Sequence, residues 1–336
     1  MIEIDAAEAR RLRARAHLIG GSALEPAAVV ARAGALQGQD LGSVLRAIAL
    51  RSASGTTVAD VRAAFDSGAL VRGWPMRGTL FAVTPADLAG FVGVTAPRMQ
   101  ASLRARRAYL GLSDADFELA KSVATAALAE RPRSRGELEA LWADAGVPQG
   151  QGLGYHFTST LAIDGVLALG PFDGNDQIVV PVVPISEPED AFLARIARAF
   201  FAARGPATLD DLAWWLKAPK GGLKRAIAEV EEIERVSVDG REMLRLDDGV
   251  EVGEPAAVVL VPGFDEWILG YADRSLTASD AVMKELATVN GIFRPAVLVD
   301  GVAVGRWSKG ALELVERVTA KQRKAIDAAL AAWPYV

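Results

Sequence analysis

Three segments of this 336-residue chain repeat one local order, a pair of helices followed by a two-stranded hairpin. In the first segment, apolar residues at helical spacing precede "LVRGWPMRGTLFAV", which predicts two short strands joined across "RGWPMRG". In the second, the helix "RSRGELEALWADAG" precedes a hairpin that turns at Asp173-Gly174-Asn175. In the third, Thr208 begins a helix, a second helix follows, and Asp239-Gly240 predicts a type I′ turn between two strands.

Helix, turn, helix and β-hairpin is the order of elements in a winged-helix domain. Small α+β domains also alternate helices and hairpins, so the order alone leaves both interpretations open. We expect a helix-rich α+β fold with three winged-helix units at 1–115, 116–185 and 186–336. Residues 255–336 predict an additional antiparallel sheet and a closing helix capped by Thr319, with "FDEWILGYADR" in a long loop. The glycine-rich stretch 149–157 also predicts a loop.

The residues that are missing exclude several kinds of site. The chain has no cysteine, which excludes disulfides, cysteine–zinc sites and thiol nucleophiles. Its two histidines, His17 and His156, come without a G-x-S-x-G motif or a glycine-rich phosphate loop. The first residues carry acids and arginines where a signal peptide has an apolar core, and no apolar run approaches the ~18 residues of a membrane span. We therefore expect a cytoplasmic protein that does not enter a membrane.

Arginine clusters contrast with the net charge of −5. That charge argues weakly against nonspecific coating of nucleic acid, although DNA binding depends on a local patch. The stretch "RMQASLRARR" carries four arginines and no acid: Arg98, Arg104, Arg106 and Arg107. Such a stretch is either a phosphate-binding surface or a solvated helix face.

The stretch "GALQGQD" at residues 34–40 places Gln37 and Gln39 on either side of Gly38. In a regular helix, residues two apart point about 200° from each other, whereas an extended segment lets them face the same side. Glycine costs roughly 1 kcal/mol in a helix interior, so we expect the motif at a helix end or turn. The two amides either converge on one ligand or cap a helix C-terminus.

Five motifs occur in a fixed order, namely "LQGQD", "MRGTLFAVTPADL", "GPATLDDLAWW", "VPGFDEWILGYADR" and "NGIFRPAVLVDGVAVGRW". Together they resemble the bacterial winged-helix DNA-binding family that contains the AlkZ-type DNA glycosylases, over about Gln37 to Trp307. The resemblance implies three tandem winged-helix units in a C-shaped arrangement around duplex DNA. It also implies that Gln37 and Gln39 are the catalytic pair. The chain departs from the family pattern at Gly38, where a larger apolar residue is usual, and at Phe81, where histidine is common.

The resemblance further implies a monofunctional DNA glycosylase for N7-alkylated purines, with interstrand crosslinks among the possible lesions. Two neutral amides are poor bases, but they can orient a water and stabilise a developing sugar cation. Asp40 and Thr79 are supporting candidates. We expect no metal and no cofactor, duplex DNA as the partner, and a monomer. The candidate DNA contacts are Arg77, Arg98, Arg104, Arg106, Arg107 and Arg306.

Several assignments keep an alternative. The chain could be a winged-helix DNA-binding protein or regulator without catalysis, or an interaction module that does not touch DNA. Arg77 contacts a phosphate or pairs with an acid such as Asp87. Arg306 contacts the minor groove or lies at a sheet edge, of which the edge is the simpler interpretation. We interpret four tryptophans as core anchors rather than base-stacking residues: Trp74, Trp214, Trp215 and Trp267.

Overall fold

The computed structural model describes residues 2–335. The helices are α1 Ala6–Ala16, α2 Pro26–Ala33, α3 Leu41–Arg51, α4 Val58–Asp66, α5 Pro85–Tyr109, α6 Asp114–Glu130, α7 Arg135–Asp144, α8 Leu153–Ile163, α9 Glu189–Arg204, α10 Leu209–Leu216, α11 Lys220–Ala228, α12 Glu266–Leu269, α13 Asp280–Leu286 and α14 Ala320–Ala331. The strands are β1 Ile2–Ile4, β2 Leu36–Gln37, β3 Val71–Met76, β4 Thr79–Val83, β5 Leu167–Asp173, β6 Asp176–Pro181, β7 Glu234–Val238, β8 Arg241–Arg245, β9 Val258–Val261, β10 Ala296–Val299, β11 Val302–Ser308 and β12 Ala311–Leu314. None of the described helices combines the length and apolar character that crossing a bilayer requires.

The chain forms two compact units. One unit contains the residues up to Val61 and those from Asp190 onward, and the other contains Arg62–Glu189. The mixture of helices and largely antiparallel sheets confirms the predicted α+β class. The division into three winged-helix units at 1–115, 116–185 and 186–336 stays a prediction.

The discontinuous unit contains two sheets. β9 to β12 form the predicted antiparallel sheet in the order β12-β11-β10-β9, and apolar residues on its strands pack with Ile326 of α14. In the other sheet, β7 pairs with β8 and also with β1, whose parallel alignment places Ile2 opposite Val236. The predicted type I′ turn has two residues with positive φ, Asp239 (50°) and Gly240 (80°). The turn between β10 and β11 has the same pattern at Asp300 (49°) and Gly301 (77°).

The unit of residues 62–189 packs four helices, α5 to α8, against strands that run in the order β4-β3-β5-β6. Its first hairpin corrects the prediction of a long loop across "RGWPMRG". β3 continues to Met76, and the turn is only Arg77 (φ 56°) and Gly78 (φ 68°). The pairing register shifts between Gly73 and Met76, and Pro75 lies in that irregularity, where a missing N–H is tolerated.

Helix starts follow the predicted capping residues. Thr208 accepts the N–H of Asp211 at 3.1 Å, and Thr319 accepts that of Gln322 at 3.2 Å, each completing a capping box. Two predicted loops contain helices and are therefore corrected. α8 begins at Leu153 inside the stretch 149–157, and the four-residue helix α12 lies within "FDEWILGYADR".

The tryptophans largely confirm their interpretation as core residues. Trp74 is 3% exposed, and Trp215 and Trp267 are fully buried. Trp214 is only half-buried, and the guanidinium of Arg274 lies 5.1 Å from the centre of its ring. All four residues of α12 are buried, including Glu266.

Candidate functional site

The glutamine motif lies in the short connection between α2 and α3. α2 ends at Ala33, and Gln37 is the second residue of β2. Asp40 has extended backbone dihedrals and caps α3, its carboxylate accepting the N–H of Ser43 at 2.7 Å. The prediction that the motif lies outside a helix is confirmed. Asp40 has a structural task here as an N-cap, and its supporting role in catalysis stays a prediction.

The two glutamines have different environments. Gln37 is 6% exposed, whereas Gln39 is exposed. The backbone N–H of Gln39 donates to Oε1 of Gln37 at 2.9 Å, so the first side chain closes a local turn around the second residue. The end of α2 is closed by backbone and arginine donors: the N–H of Gly34 donates to the carbonyl of Ala31, and Arg204 donates to that of Ala33. Since Gln39 is exposed, the two amides are not both buried in helix-capping bonds.

A buried ion pair lies directly against the motif. Nε and an Nη of Arg204 are 3.0 Å and 2.9 Å from Oε2 of Glu266, and the two residues are 1% and 2% exposed. The indole N–H of Trp215 donates to the same oxygen at 3.1 Å. The other carboxylate oxygen, Oε1, accepts the backbone N–H of Gln37 at 3.2 Å. The sequence analysis did not identify Glu266 or Arg204, because neither residue type is expected in a core.

A second buried ion pair involves Asp265, the residue before Glu266. Arg51 donates to both carboxylate oxygens of Asp265, at 2.8 Å and 3.0 Å. Nearby, His17 Nε2 lies 2.8 Å from the hydroxyl of Tyr271, which donates to the carbonyl oxygen of Arg204 at 2.8 Å. Burial, reinforced by Arg51 and other arginines, holds the pKa of His17 well below its usual range. Burial also raises the pKa of Tyr271, which therefore stays protonated.

Arg77 and Thr79 belong to the β3–β4 hairpin. Arg77 occupies its turn, and the guanidinium carbon lies 5.1 Å from the centre of the Phe81 ring, which is fully buried. Thr79 is the first residue of β4 and pairs with Met76. The carboxylate of Asp87 accepts the hydroxyl of Thr84 at 2.7 Å at the start of α5. The proposed roles of Arg77 and Thr79 toward DNA stay predictions.

The four arginines of "RMQASLRARR" lie on the C-terminal half of α5. Arg98, Arg104 and Arg106 are exposed. Arg107 is held within the protein, since it donates to Gln100, pairs with Asp114 at 3.6 Å and lies 4.3 Å from the ring of Phe117. At 100° per residue, Arg98 and Arg106 are about 80° apart, whereas Arg104 lies on the other side of the helix. Arg98 and Arg106 therefore make the more coherent candidate surface.

Arg306 is bound to acids of its own unit. It pairs with Glu313 across the β11–β12 ladder and approaches Glu285 at 3.9 Å. The expectation of a sheet edge is wrong, because β11 lies between β10 and β12. Within residues 2–335, no cluster of three or more histidine, aspartate or glutamate side chains is arranged to hold a metal ion.

Comparison with known proteins identifies the family. A family model described as DNA glycosylase AlkZ-like matches residues 30–334. The chain belongs to the AlkZ-like DNA glycosylase family. This AlkZ-like chain is 28% identical over 172 residues to an interstrand DNA cross-link repair glycosylase from Streptomyces sahachiroi. That match covers 46% of the AlkZ-like chain and 46% of the relative, less than half of either.

A solved structure, the Streptomyces sahachiroi DNA glycosylase AlkZ, has the same fold as this AlkZ-like chain. The TM-score is 0.80 at 22% sequence identity, and the match covers 98% of this chain and 96% of that one. At this identity the likeness concerns the fold. The family match begins at residue 30, so it includes the glutamine motif, and it ends at residue 334, beyond α14.

Proposed function

We propose that the protein is a monofunctional DNA glycosylase that hydrolyses the N-glycosidic bond of N7-alkylated purines in duplex DNA. The observation that carries the proposal is the non-helical Gln37–Gln39 segment, in which Gln37 is buried and Gln39 is exposed, in a member of the AlkZ-like family. Interstrand crosslinks are a proposed target, consistent with the name of the Streptomyces relative.

The chemistry suits two neutral amides. A purine alkylated at N7 carries positive charge, so its bond to C1′ is already labile. Water adds to C1′ while the C1′–N9 bond breaks, and the bonding electron pair leaves with the purine, which becomes neutral. The water loses one proton to solvent, and C1′ keeps the hydroxyl. The protein therefore has to orient the water and stabilise an oxocarbenium-like charge, rather than abstract a proton from an unactivated substrate.

The two glutamines would divide this work. Gln39, which is exposed, can present its amide oxygen to water and to the sugar. Gln37 Oε1 is already oriented by the N–H of Gln39, which keeps its amide in a defined direction. Asp40 would add negative charge beside them, and Thr79 a hydroxyl donor. A preoriented amide needs little rearrangement as charge develops.

DNA would be held mainly through arginines. We include Arg98, Arg104 and Arg106 on α5, with Arg77, Arg107 and Arg306 as further candidates, and we propose that the helix–helix–hairpin segments act as winged-helix units. Duplex DNA is then the partner of a monomeric protein in the cytoplasm. Phosphate contacts of this kind would give affinity that falls with salt.

The test is release of free base. Purified protein is incubated with a duplex that contains 7-methylguanine and, separately, with an N7-linked interstrand crosslink; released base is measured by mass spectrometry and unhooking by denaturing gel. We expect both above the uncatalysed rate. A DNA-binding protein without catalysis is the second candidate, because the burial of Gln37 suits a structural role as well. Salt-dependent binding without base release would establish it.

A further inference from the structure

The Arg204–Glu266 pair contacts the backbone of every second residue between the end of α2 and Gln37. Arg204 donates to the carbonyl oxygens of Ala33 at 2.9 Å and Ala35 at 2.8 Å, and Glu266 accepts the N–H of Gln37 at 3.2 Å. In an extended chain, the backbone groups of alternate residues face the same side. Ala33 ends α2 and Gly34 has a φ of 73°, so this rule applies from Ala35 to Gln37, where the ion pair lies along one side of the chain.

We propose that Glu266 is a positioning residue that sets the orientation of the Gln37–Gln39 segment for hydrolysis. Two donors, Arg204 and Trp215, hold Oε2 of the carboxylate, and this leaves Oε1 aimed at the N–H of Gln37. The guanidinium of Arg204 also lies 4.4 Å from the centre of the Trp215 ring. Because Arg204 and Glu266 are almost fully buried, water does not compete for these bonds.

The orientation passes along the motif in two further steps. Glu266 fixes the backbone of Gln37, and Oε1 of Gln37 in turn accepts the N–H of Gln39. A displacement at Glu266 therefore moves both amides. Because Arg204 and Glu266 are both buried, a change at Glu266 should alter the rate of the chemical step more than affinity for DNA. Misplacement of catalytic groups by about 1 Å can slow a reaction about 100-fold.

The decisive variant is Glu266→Gln. An amide has one acceptor oxygen, yet donors reach residue 266 from both sides, so glutamine cannot satisfy Gln37 and the Arg204–Trp215 pair together. The matched control is Asp265→Asn, which disrupts the equally buried pair that Arg51 makes with the preceding residue. Asparagine keeps a side-chain oxygen that can accept the N–H of Trp267 at the start of α12. Both variants are assayed well below their melting temperatures.

For Glu266→Gln we expect single-turnover base release about 100-fold slower than wild type, with the Kd for duplex DNA unchanged. Asp265→Asn should stay within a few-fold of wild type. Equal slowing of both variants would mean that Glu266 acts only on stability, and a wild-type rate for Glu266→Gln would also overturn the proposal. If Glu266→Gln does not fold, Trp215→Phe removes one donor to the carboxylate and should still be slower than Asp265→Asn.

The catalytic consequence rests on the proposed function, but the positioning itself has an independent readout. Hydrogen–deuterium exchange of the amides of Gln37 and Gln39 should be faster in Glu266→Gln than in wild type or Asp265→Asn. If the wild-type protein released no base, the glycosylase proposal would fail and this exchange would still decide the positioning role. Equal exchange in Glu266→Gln and Asp265→Asn would reject it.

Discussion

At the residue scale, one tripeptide occurs twice in this chain. Gln-Gly-Gln stands at 37–39 and again at 149–151, and composition does not distinguish the copies. The first lies between two helices, with Gln37 buried against Glu266. The second lies in an exposed turn, where Gln149 donates to the carbonyl of Val147 at 2.8 Å. Sequence reasoning selected the first copy through the surrounding family motifs, and could not see the buried carboxylate that separates the two.

The second copy provides a control for the catalytic role of the first. We expect Gln39→Ala to slow release of 7-methylguanine about 100-fold, the typical loss for removing one preoriented polar group, with little change in DNA affinity. Gln151→Ala should react as wild type, since it removes the same amide from the same tripeptide elsewhere. Single-turnover rates with matched binding curves measure both. Equal rates for Gln39→Ala and Gln151→Ala would contradict the catalytic assignment.

Gln37→Ala should combine a catalytic and a structural loss. It removes an amide and also the acceptor of the Gln39 N–H, so we expect a similar slowing together with a loss of about 1 kcal/mol of stability. Gln39→Ala, at an exposed side chain, should change stability by less than about 0.5 kcal/mol. Denaturant unfolding of the two variants separates the effects, and identical stabilities would argue against the turn formed by the Gln37 side chain.

His17 should make stability sensitive to acid. Its pKa is lowered in the folded protein, chiefly by burial, whereas in the unfolded chain it titrates near 6.5. Below about pH 6.5 the unfolded state therefore binds a proton that the folded state does not. This contribution to stability is present above that pH and is lost as pH falls, by up to about 1.4 kcal/mol per pH unit. Urea unfolding between pH 7.5 and 5.5 should show a weaker pH dependence for His17→Gln than for wild type, and an equal dependence would refute the assignment.

At the element scale, local chemistry predicted the turns and caps. Asp239-Gly240 and Asp300-Gly301 form tight turns because glycine and aspartate tolerate positive φ, and Thr208 begins α10 as expected. Elements whose formation depends on burial were mispredicted. A loop was predicted across "RGWPMRG", but β3 continues through Pro75 at an irregularity of the pairing. A loop was also predicted where the buried helix α12 lies.

A prediction about DNA binding concerns the face of α5 that carries Arg98 and Arg106. The double variant Arg98→Glu/Arg106→Glu reverses two exposed charges on nearly the same side, and we expect weaker binding to all duplex sequences. The slope of log K against log salt should flatten by about one unit per lost phosphate contact, so by up to about two. Arg11→Glu, at an exposed side chain of α1, is the control. Unchanged slopes would make the α5 arginines a solvated face.

At the scale of the whole molecule, the contacts missed by sequence reasoning are those between residues far apart in the chain. Gln37 and Glu266 are 229 positions apart, and β1 pairs with β7 although Ile2 and Val236 stand near opposite ends of the discontinuous unit. No local periodicity encodes such a pairing, and no rule of composition predicts a carboxylate in a core. The proposed catalytic glutamines could be identified from family motifs, whereas the residues that contact them could be identified only from the fold.

The reaction catalysed by the whole protein should stop at an abasic site. Strand cleavage by a bifunctional glycosylase needs an amine that forms a Schiff base with C1′, and the first lysine of this chain is Lys121, far in sequence from Gln37. We therefore expect 7-methylguanine release without strand scission until alkali or heat is applied, and no covalent complex after borohydride reduction.

Lys309 is the lysine to replace if a covalent complex is trapped, because it lines a cavity of about 910 Å³ together with Ser43, in the first turn of α3. If borohydride traps a covalent complex with the wild type but not with Lys309→Ala, an amine-dependent mechanism replaces the hydrolytic one. If neither protein is trapped, water, oriented by the two amides, is the nucleophile.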